Sequence, residues 1–271
     1  MYCRIYFDTV SFRLIGDSFQ TQTLPQELRD RILISPLTLY EIWSQLTIGD
    51  GESMLKRVQS LANWTNPKTG LLPWPDDAVY AVWHKRIAPE DGFTKRMETA
   101  CNLCLAATSP SQLKEAAQEL KTTMDKVKSD MAFAFGQLMS SAKQQSLSSK
   151  HYSDPWFQGI ARRAKADVSS RSQAEIVSAL NAYYTFEMAK LEVAIKNRDY
   201  NPEKHKNDVF DAEQLVYLSD PSLRFLTCDQ GIKNFTEKSS QALQIITVKN
   251  ASLTNAASVE SVLQGIVSSC S

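Results

Sequence analysis

The amino-acid sequence predicts an α/β protein in which a mostly parallel sheet is interrupted by a long, all-helical block. Short apolar, strand-like runs lie near the two ends of the 271-residue chain. These runs alternate with helical patterns, as parallel strands require, because each parallel pair needs a crossover connection. Residues 78–199 between them follow the helical period almost throughout.

The first elements are read from residues 3–46. Residues 3–7 form an apolar, aromatic and β-branched run that predicts a buried strand ending at Asp8, and residues 31–35 predict a second strand. Pro36 is suited to the first turn of a helix, so a helix is expected over residues 37–46.

The middle of the chain predicts four to six helices. One apolar stripe begins at Ser111 and continues to Met131 at three- and four-residue steps, and another covers residues 172–197. A loop rich in Pro, Gly and Trp is expected over residues 64–75, before this block.

The α/β pattern returns near the end of the chain. Residues 208–218 predict a short helix, 224–228 a strand, 231–238 a helical turn and 242–248 a final strand. A last helical segment is expected over residues 259–267.

The composition is that of an ordinary globular protein, with 43% hydrophobic and 22% charged residues. The 30 Lys and Arg residues balance 30 Asp and Glu residues, so the formal net charge is zero. This balance excludes a protein-wide basic field, and any nucleic-acid contact must come from a local patch. Nine glycines are too few to favour a glycine-rich phosphate cradle.

The sequence favours a cytoplasmic protein that does not bind a membrane. It contains no run of about 18 apolar residues, and Arg4 and Asp8 break the first apolar run before it reaches the length of a secretory signal. The cysteines are odd in number, which suits a reducing compartment better than a disulfide framework. They are Cys3, Cys101, Cys104, Cys228 and Cys270.

Four acidic residues stand where a parallel sheet would bring them together. Asp8 and Asp229 end predicted strands, whereas Glu41 and Asp211 lie in the first turns of predicted helices. Ligands of open α/β sheets bind outside the carboxyl ends of the strands, at the same edge as these positions. Carboxylates gathered there repel one another unless a cation neutralises them, and oxygen ligands favour Mg²⁺ or Mn²⁺.

Four segments in this order resemble the PIN-domain nucleases. The family has an opening strand that ends in an aspartate, a Ser/Thr-rich entry to a helix that carries a glutamate, an aspartate that opens a later helix, and a strand that ends in Thr-x-Asp. The matching segments are residues 5–9, 35–41, 207–218 and 226–230, the last followed by Phe235.

The resemblance implies a Rossmann-like, three-layer α/β/α fold with a mostly parallel central sheet, and metal-dependent hydrolysis of phosphodiesters, usually in RNA. By this resemblance the catalytic, metal-binding carboxylates are Asp8, Glu41, Asp211 and Asp229. Asp208 lies three residues before Asp211 on the same helix face, so it shares in metal binding or replaces Asp211. The hydroxyls of Thr9 and Thr227 are expected to hold a carboxylate or a water.

The resemblance divides the chain into three parts. It covers residues 1–60 and 200–250 as the PIN-like core. Residues 61–199 form a helical insertion without a counterpart in small family members, and residues 251–271 form a C-terminal tail that is expected to be helical.

A basic segment of the insertion offers a site for nucleic acid. It follows Trp156 and Phe157, whose rings could stack on bases while the basic side chains contact phosphates. A solvated, charged helix face explains the same pattern. The basic residues are Arg162, Arg163, Lys165 and Arg171.

The sequence thus predicts a Mg²⁺- or Mn²⁺-dependent endoribonuclease, and it leaves open the toxin of a toxin–antitoxin pair, with an antitoxin protein as partner. The alternatives are a non-catalytic, PIN-like scaffold that binds a partner through its helical insertion, and a metal-dependent phosphatase or flap-type DNA nuclease. A homodimer is also left open, because small members of the family often dimerise.

Overall fold

A computed structural model describes residues 3–18, 24–47, 51–64, 70–89, 99, 102–197 and 199–270, without the side chains of residues 58 and 61–64. Its centre is a parallel sheet of three strands in the order β1–β2–β3. The strands are β1 (Arg4–Phe7), β2 (Leu223–Thr227) and β3 (Ile245–Thr247). Phe7 is paired with Leu226, so β1 and β2 end side by side.

Two extended segments continue the sheet beyond β1. Ile32 forms a parallel bridge to Ile5, and Ile34 forms one to Leu71. The chain therefore moves outward from β1 on one side and returns to β2 on the other. The strand order reverses between β1 and β2, which is where open α/β sheets have their binding crevice.

α-Helices surround the sheet. Those before the long helix are α1 (Thr9–Ser18), α2 (Gln26–Arg29), α3 (Pro36–Ser44), α4 (Gly51–Trp64) and α5 (Pro75–His84). The remainder are α6 (Lys114–Gln144), α7 (Ser153–Arg163), α8 (Gln173–Ala179), α9 (Asn181–Lys196), α10 (Asp208–Gln214), α11 (Gln230–Thr236) and α12 (Ala256–Ser269).

Several helices of the predicted insertion cover one face of the sheet. Because side chains alternate along a strand, Ile5 and Phe7 face one apolar core and Tyr6 faces another. The first core contains residues of α1, α3 and α12. The second contains residues of α5, α7, α8 and α9, with Trp83 and Phe186 fully buried against the same cluster as Tyr6. The insertion thus covers a sheet face that would otherwise be exposed.

Most elements agree with the sequence-based expectations, but several boundaries differ. Residues 31–35 make single bridges instead of a regular strand. The strand expected over 242–248 is shortened to β3, because residues 242–244 form a 3-10 turn. Of the loop expected over 64–75, Trp64 belongs to α4 and Pro75 opens α5; residues 65–69 lie outside the described part.

In the described ranges, no helix combines the length and the apolarity needed to cross a bilayer.

The two ends of the described chain meet at a pair of cysteines. The Sγ atoms of Cys3, before β1, and Cys270, at the end of α12, lie 2.7 Å apart, and both residues are free thiols. Burial and the neighbouring thiol raise the pKa of Cys3 to about 12, so the thiol resists ionisation at neutral pH.

We expect the oxidant diamide to join Cys3 to Cys270 slowly, because the two sulfurs are in contact but seldom ionised. Non-reducing electrophoresis and a mass loss of two hydrogen atoms in the peptide pair would detect the bond. Cys270→Ser should abolish it, whereas Cys104→Ser should not. A cross-link that persists in Cys270→Ser would contradict the pairing.

Candidate functional site

Asp8 is fixed at the carboxyl end of β1 and is 5% exposed. Its Oδ1 accepts a hydrogen bond from the Ser11 backbone N–H at 2.7 Å, so it caps the start of α1. Its Oδ2 accepts a bond from the Thr227 hydroxyl at 2.5 Å and one from the Cys228 N–H at 3.3 Å. Burial raises the pKa of Asp8, although the hydrogen bonds from Thr227 and Ser11 partly offset this rise.

Thr227 connects the ends of the two central strands. Its fully buried hydroxyl donates to Asp8 and accepts a hydrogen bond from the Asp229 backbone N–H at 2.9 Å. The exposed carboxylate of Asp229 caps α11 by accepting from the Gly231 N–H at 2.6 Å. A β-carbon at position 231 would lie 2.9 Å from Asp229 Oδ1, so this close approach favours glycine.

Glu41 reaches the site from α3. Ser35 caps this helix, and the Thr38 hydroxyl donates to the Phe7 carbonyl at 3.0 Å, which attaches α3 to the end of β1. One turn beyond, Glu41 Oε2 accepts a hydrogen bond from the Thr9 hydroxyl. Its Oε1 lies 2.5 Å from the ammonium group of Lys128 on α6.

The helix α10 carries Asp208 and Asp211, and buried hydrogen bonds hold it against the sheet. Gln214 donates to the Thr38 hydroxyl at 3.0 Å, and the Tyr6 hydroxyl donates to the Gln214 carbonyl at 2.7 Å. These bonds place the last turn of α10 beneath the end of β1. Asp211, one turn earlier, lies close enough to Asp8 for the charge of Asp8 to raise its pKa.

The electrostatic environment of Asp211 indicates that the acidic residues converge. Its pKa is raised well above the usual range, first by burial and then by the negative charges of Glu41, Asp229, Asp8 and Asp208. Within the described residues, no group donates a hydrogen bond to its carboxyl. The four other predicted acidic residues therefore lie close enough to Asp211 to raise its pKa, and in the described part of the chain its carboxyl has no hydrogen-bonded partner.

Two lysines of the insertion, which the sequence reasoning did not select, contact this acidic group. Lys128 binds Glu41, and Lys190 of α9 lies 3.8 Å from Asp208 with its side chain 4% exposed. The sequence feature that could have identified them is their spacing. Lys128 and Lys190 lie four residues after the buried Met124 and Phe186, on the same helix faces. A lysine at such a position on an apolar helix face is buried, and a buried lysine usually has an acidic partner.

The chemistry of these donors fits a hard divalent cation. The group is all-oxygen, it is crowded with negative charge, and the buried Oε1 of the nearby Gln214 has no hydrogen-bond partner in the described part. In their present rotamers, however, no three His, Cys, Asp or Glu side chains of the described residues stand close enough together to hold an ion. Glu41 in particular has both oxygens occupied by Thr9 and Lys128.

The predicted nucleic-acid residue Arg163 is partly buried, with its side chain 22% exposed, and it is paired with acidic side chains. Its guanidinium donates two hydrogen bonds to Glu213, at 3.0 and 2.5 Å, and contacts Asp76 and the Tyr183 hydroxyl. Phe157, expected to stack on a base, is buried on Trp83. These two side chains therefore stabilise the packing of the insertion.

The other predicted basic residues differ in exposure. Arg162 and Lys165 are exposed at the end of α7. Arg171 donates to the Trp83 carbonyl at 2.6 Å and thus caps the end of α5. Only Arg162 and Lys165 of the four predicted residues therefore present their charges to solvent without a described ion pair.

Comparisons of the chain with family models, with curated proteins and with solved structures found no match.

We expect Asp211→Asn to stabilise the metal-free protein. A raised carboxyl pKa means that the folded state binds more protons than the unfolded chain, so the free energy of unfolding falls as pH rises above about 4. The variant should gain on the order of 1 kcal/mol at pH 8 and show less loss between pH 5 and pH 8. Urea unfolding with EDTA present measures both. Asp130→Asn, at an exposed position, is the control. An equal pH dependence of stability in wild type and Asp211→Asn would show that the pKa of Asp211 is not raised.

Arg163→Met should destabilise the protein by about 3 kcal/mol, because it leaves the buried Glu213 carboxylate without its partner. The neighbouring exposed variant Arg162→Met should stay within about 0.5 kcal/mol of wild type. Chemical denaturation of the two variants compares the positions directly. Equal stabilities, combined with weaker RNA binding by Arg163→Met, would restore Arg163 as a phosphate contact.

Proposed function

We propose that this protein is a Mg²⁺- or Mn²⁺-dependent nuclease that hydrolyses RNA. One observation carries the proposal: the carboxyl of Asp211 is desolvated and lies within the field of Glu41, Asp229, Asp8 and Asp208. Such an arrangement opposes folding, because the carboxylates repel one another. A divalent cation bound among them would remove this repulsion. RNA as the substrate, and a role as a toxin, depend on the resemblance to the PIN-domain nucleases.

The chain's own residues supply binding and orientation. Asp8, Glu41, Asp211 and Asp229 would hold the metal, with Asp208 at the margin of the group. Thr227 and the Ser11 N–H fix the direction of both Asp8 oxygens, and Thr9 fixes Glu41. When bound, a divalent cation supplies an activated water and stabilises charge on the leaving oxygen. No histidine or serine nucleophile is required.

A second candidate function has its own supporting observation. Lys128 and Lys190 already neutralise two of the five carboxylates, so the acidic group can exist without metal. This favours the reading in which the chain is a non-catalytic scaffold. The two functions differ in one respect that can be measured, because only a nuclease loses cleavage when one carboxylate is removed.

We expect Asp8→Asn to reduce Mn²⁺-dependent cleavage of single-stranded RNA by a hundredfold or more, because a metal ligand contributes several kcal/mol to the stability of the transition state. Cleavage is measured on an end-labelled RNA in Mn²⁺, with EDTA as the blank. Asp130→Asn, which is exposed on α6, should cleave as wild type does. Circular dichroism establishes that Asp8→Asn keeps a cooperative unfolding transition.

Two results would count against the nuclease. One is a wild-type protein that binds RNA without cutting it, which supports the scaffold. The other is equal cleavage by wild type and Asp8→Asn, which excludes this site as the source of the activity.

A further inference from the structure

Lys128 is the cation nearest to the proposed metal ligands in the described structure. Its ammonium nitrogen lies 2.5 Å from Glu41 Oε1 and 3.0 Å from Asn207 Oδ1. It also stands 4.7 Å from the centre of the Phe210 ring, within the range of a cation–π contact. Its side chain is only 12% exposed, so three neighbours hold the charge in one place.

The position of Lys128 is set by the packing of the insertion on the core. Met124, one turn before it on α6, is buried in a cluster with Leu37 of α3 and Phe210 of α10. These are the two helices that carry Glu41 and Asp211. Packing of the long helix on α3 and α10 therefore brings Lys128 within reach of Glu41.

The contact with Lys128 occupies an oxygen of Glu41, which is a proposed metal ligand. Glu41 has one oxygen on Thr9 and the other on Lys128, so binding of a metal to Glu41 must displace at least one of them. The hydroxyl of Thr9 can keep its bond to one oxygen while the other binds a cation. The ammonium of Lys128 cannot stay at the second oxygen, because a divalent cation there would repel it.

We propose that Lys128 is an internal competitor for the divalent cation at Glu41, so that the helical insertion sets how tightly the site holds metal. The inference rests on the proposed metal-dependent function. In the metal-free protein Lys128 neutralises Glu41 and limits repulsion within the acidic group. Metal binding requires Lys128 to leave Glu41. The free energy needed to separate this ion pair weakens the observed affinity for metal.

Mn²⁺ binding to the metal-free, full-length protein tests the competition. Electron paramagnetic resonance of free Mn²⁺ gives the dissociation constant without any assay of activity. Lys128→Met removes the charge but keeps the apolar stem, and it should bind Mn²⁺ about tenfold more tightly than wild type, since a partly buried opposing charge is lost. Lys128→Arg keeps the charge and should remain close to wild type. Lys126→Met removes an exposed charge from the same helix and should change nothing.

A second measurement uses the wild-type protein and so does not depend on the folding of a variant. If Mn²⁺ displaces Lys128 from Glu41, its amine should become severalfold more reactive towards an N-hydroxysuccinimide acetylating reagent when Mn²⁺ is added. Mass spectrometry compares the acetylation of Lys128 with that of Lys126 in the same peptide. Equal acetylation of Lys128 with and without Mn²⁺ would overturn the proposal.

The outcomes separate this inference from the proposed function. Unchanged or weaker Mn²⁺ binding by Lys128→Met overturns the competition, even where the wild type cleaves RNA in Mn²⁺ and the nuclease proposal stands. Absence of Mn²⁺ binding in both proteins overturns the competition and the metal-dependent function together.

Discussion

The structure depends on how it tolerates several carboxylates at one edge of a small sheet. Like charges in a partly desolvated region repel, and three of these carboxylates have partners that reduce the repulsion. Asp8 accepts hydrogen bonds from Thr227 and two backbone N–H groups. Glu41 accepts one from Thr9 and forms an ion pair with Lys128, and Asp208 forms an ion pair with Lys190. Asp211 has no such partner among the described residues, and burial, together with the remaining repulsion, raises its pKa.

The helical insertion is part of this compensation as well as part of the core. Its helices α5, α7, α8 and α9 cover the face of the sheet on which Tyr6 lies. The same insertion delivers Lys128 and Lys190 to the acidic edge. A chain without the insertion would expose an apolar sheet face and lose two cations from the site. The insertion thus couples the stability of the fold to the electrostatics of the site.

The acidic residues and Arg163 differ in how far a local sequence pattern predicts their surroundings. The acidic residues could be selected from the sequence because each follows a strand or opens a helix, which is a local pattern. Arg163 followed an equally local pattern, a basic helix end after aromatic residues, yet it pairs with Glu213, 50 residues away. Its role could not be predicted, because a buried partner for an arginine is fixed by packing and leaves no mark beside it in the sequence.

The sequence by itself determined the α/β class, the helical middle and most element positions, including the helix start at Pro36 and the aspartates after β1 and β2. These features depend on periodicity, on capping side chains and on β-branched runs, all of which act over a few residues. Only the tertiary structure decided that β1 and β2 are neighbours, that Thr227 binds Asp8, and that Lys128 reaches Glu41. Each of these contacts joins residues 87 or more positions apart, so it depends on how the layers pack and not on any local pattern.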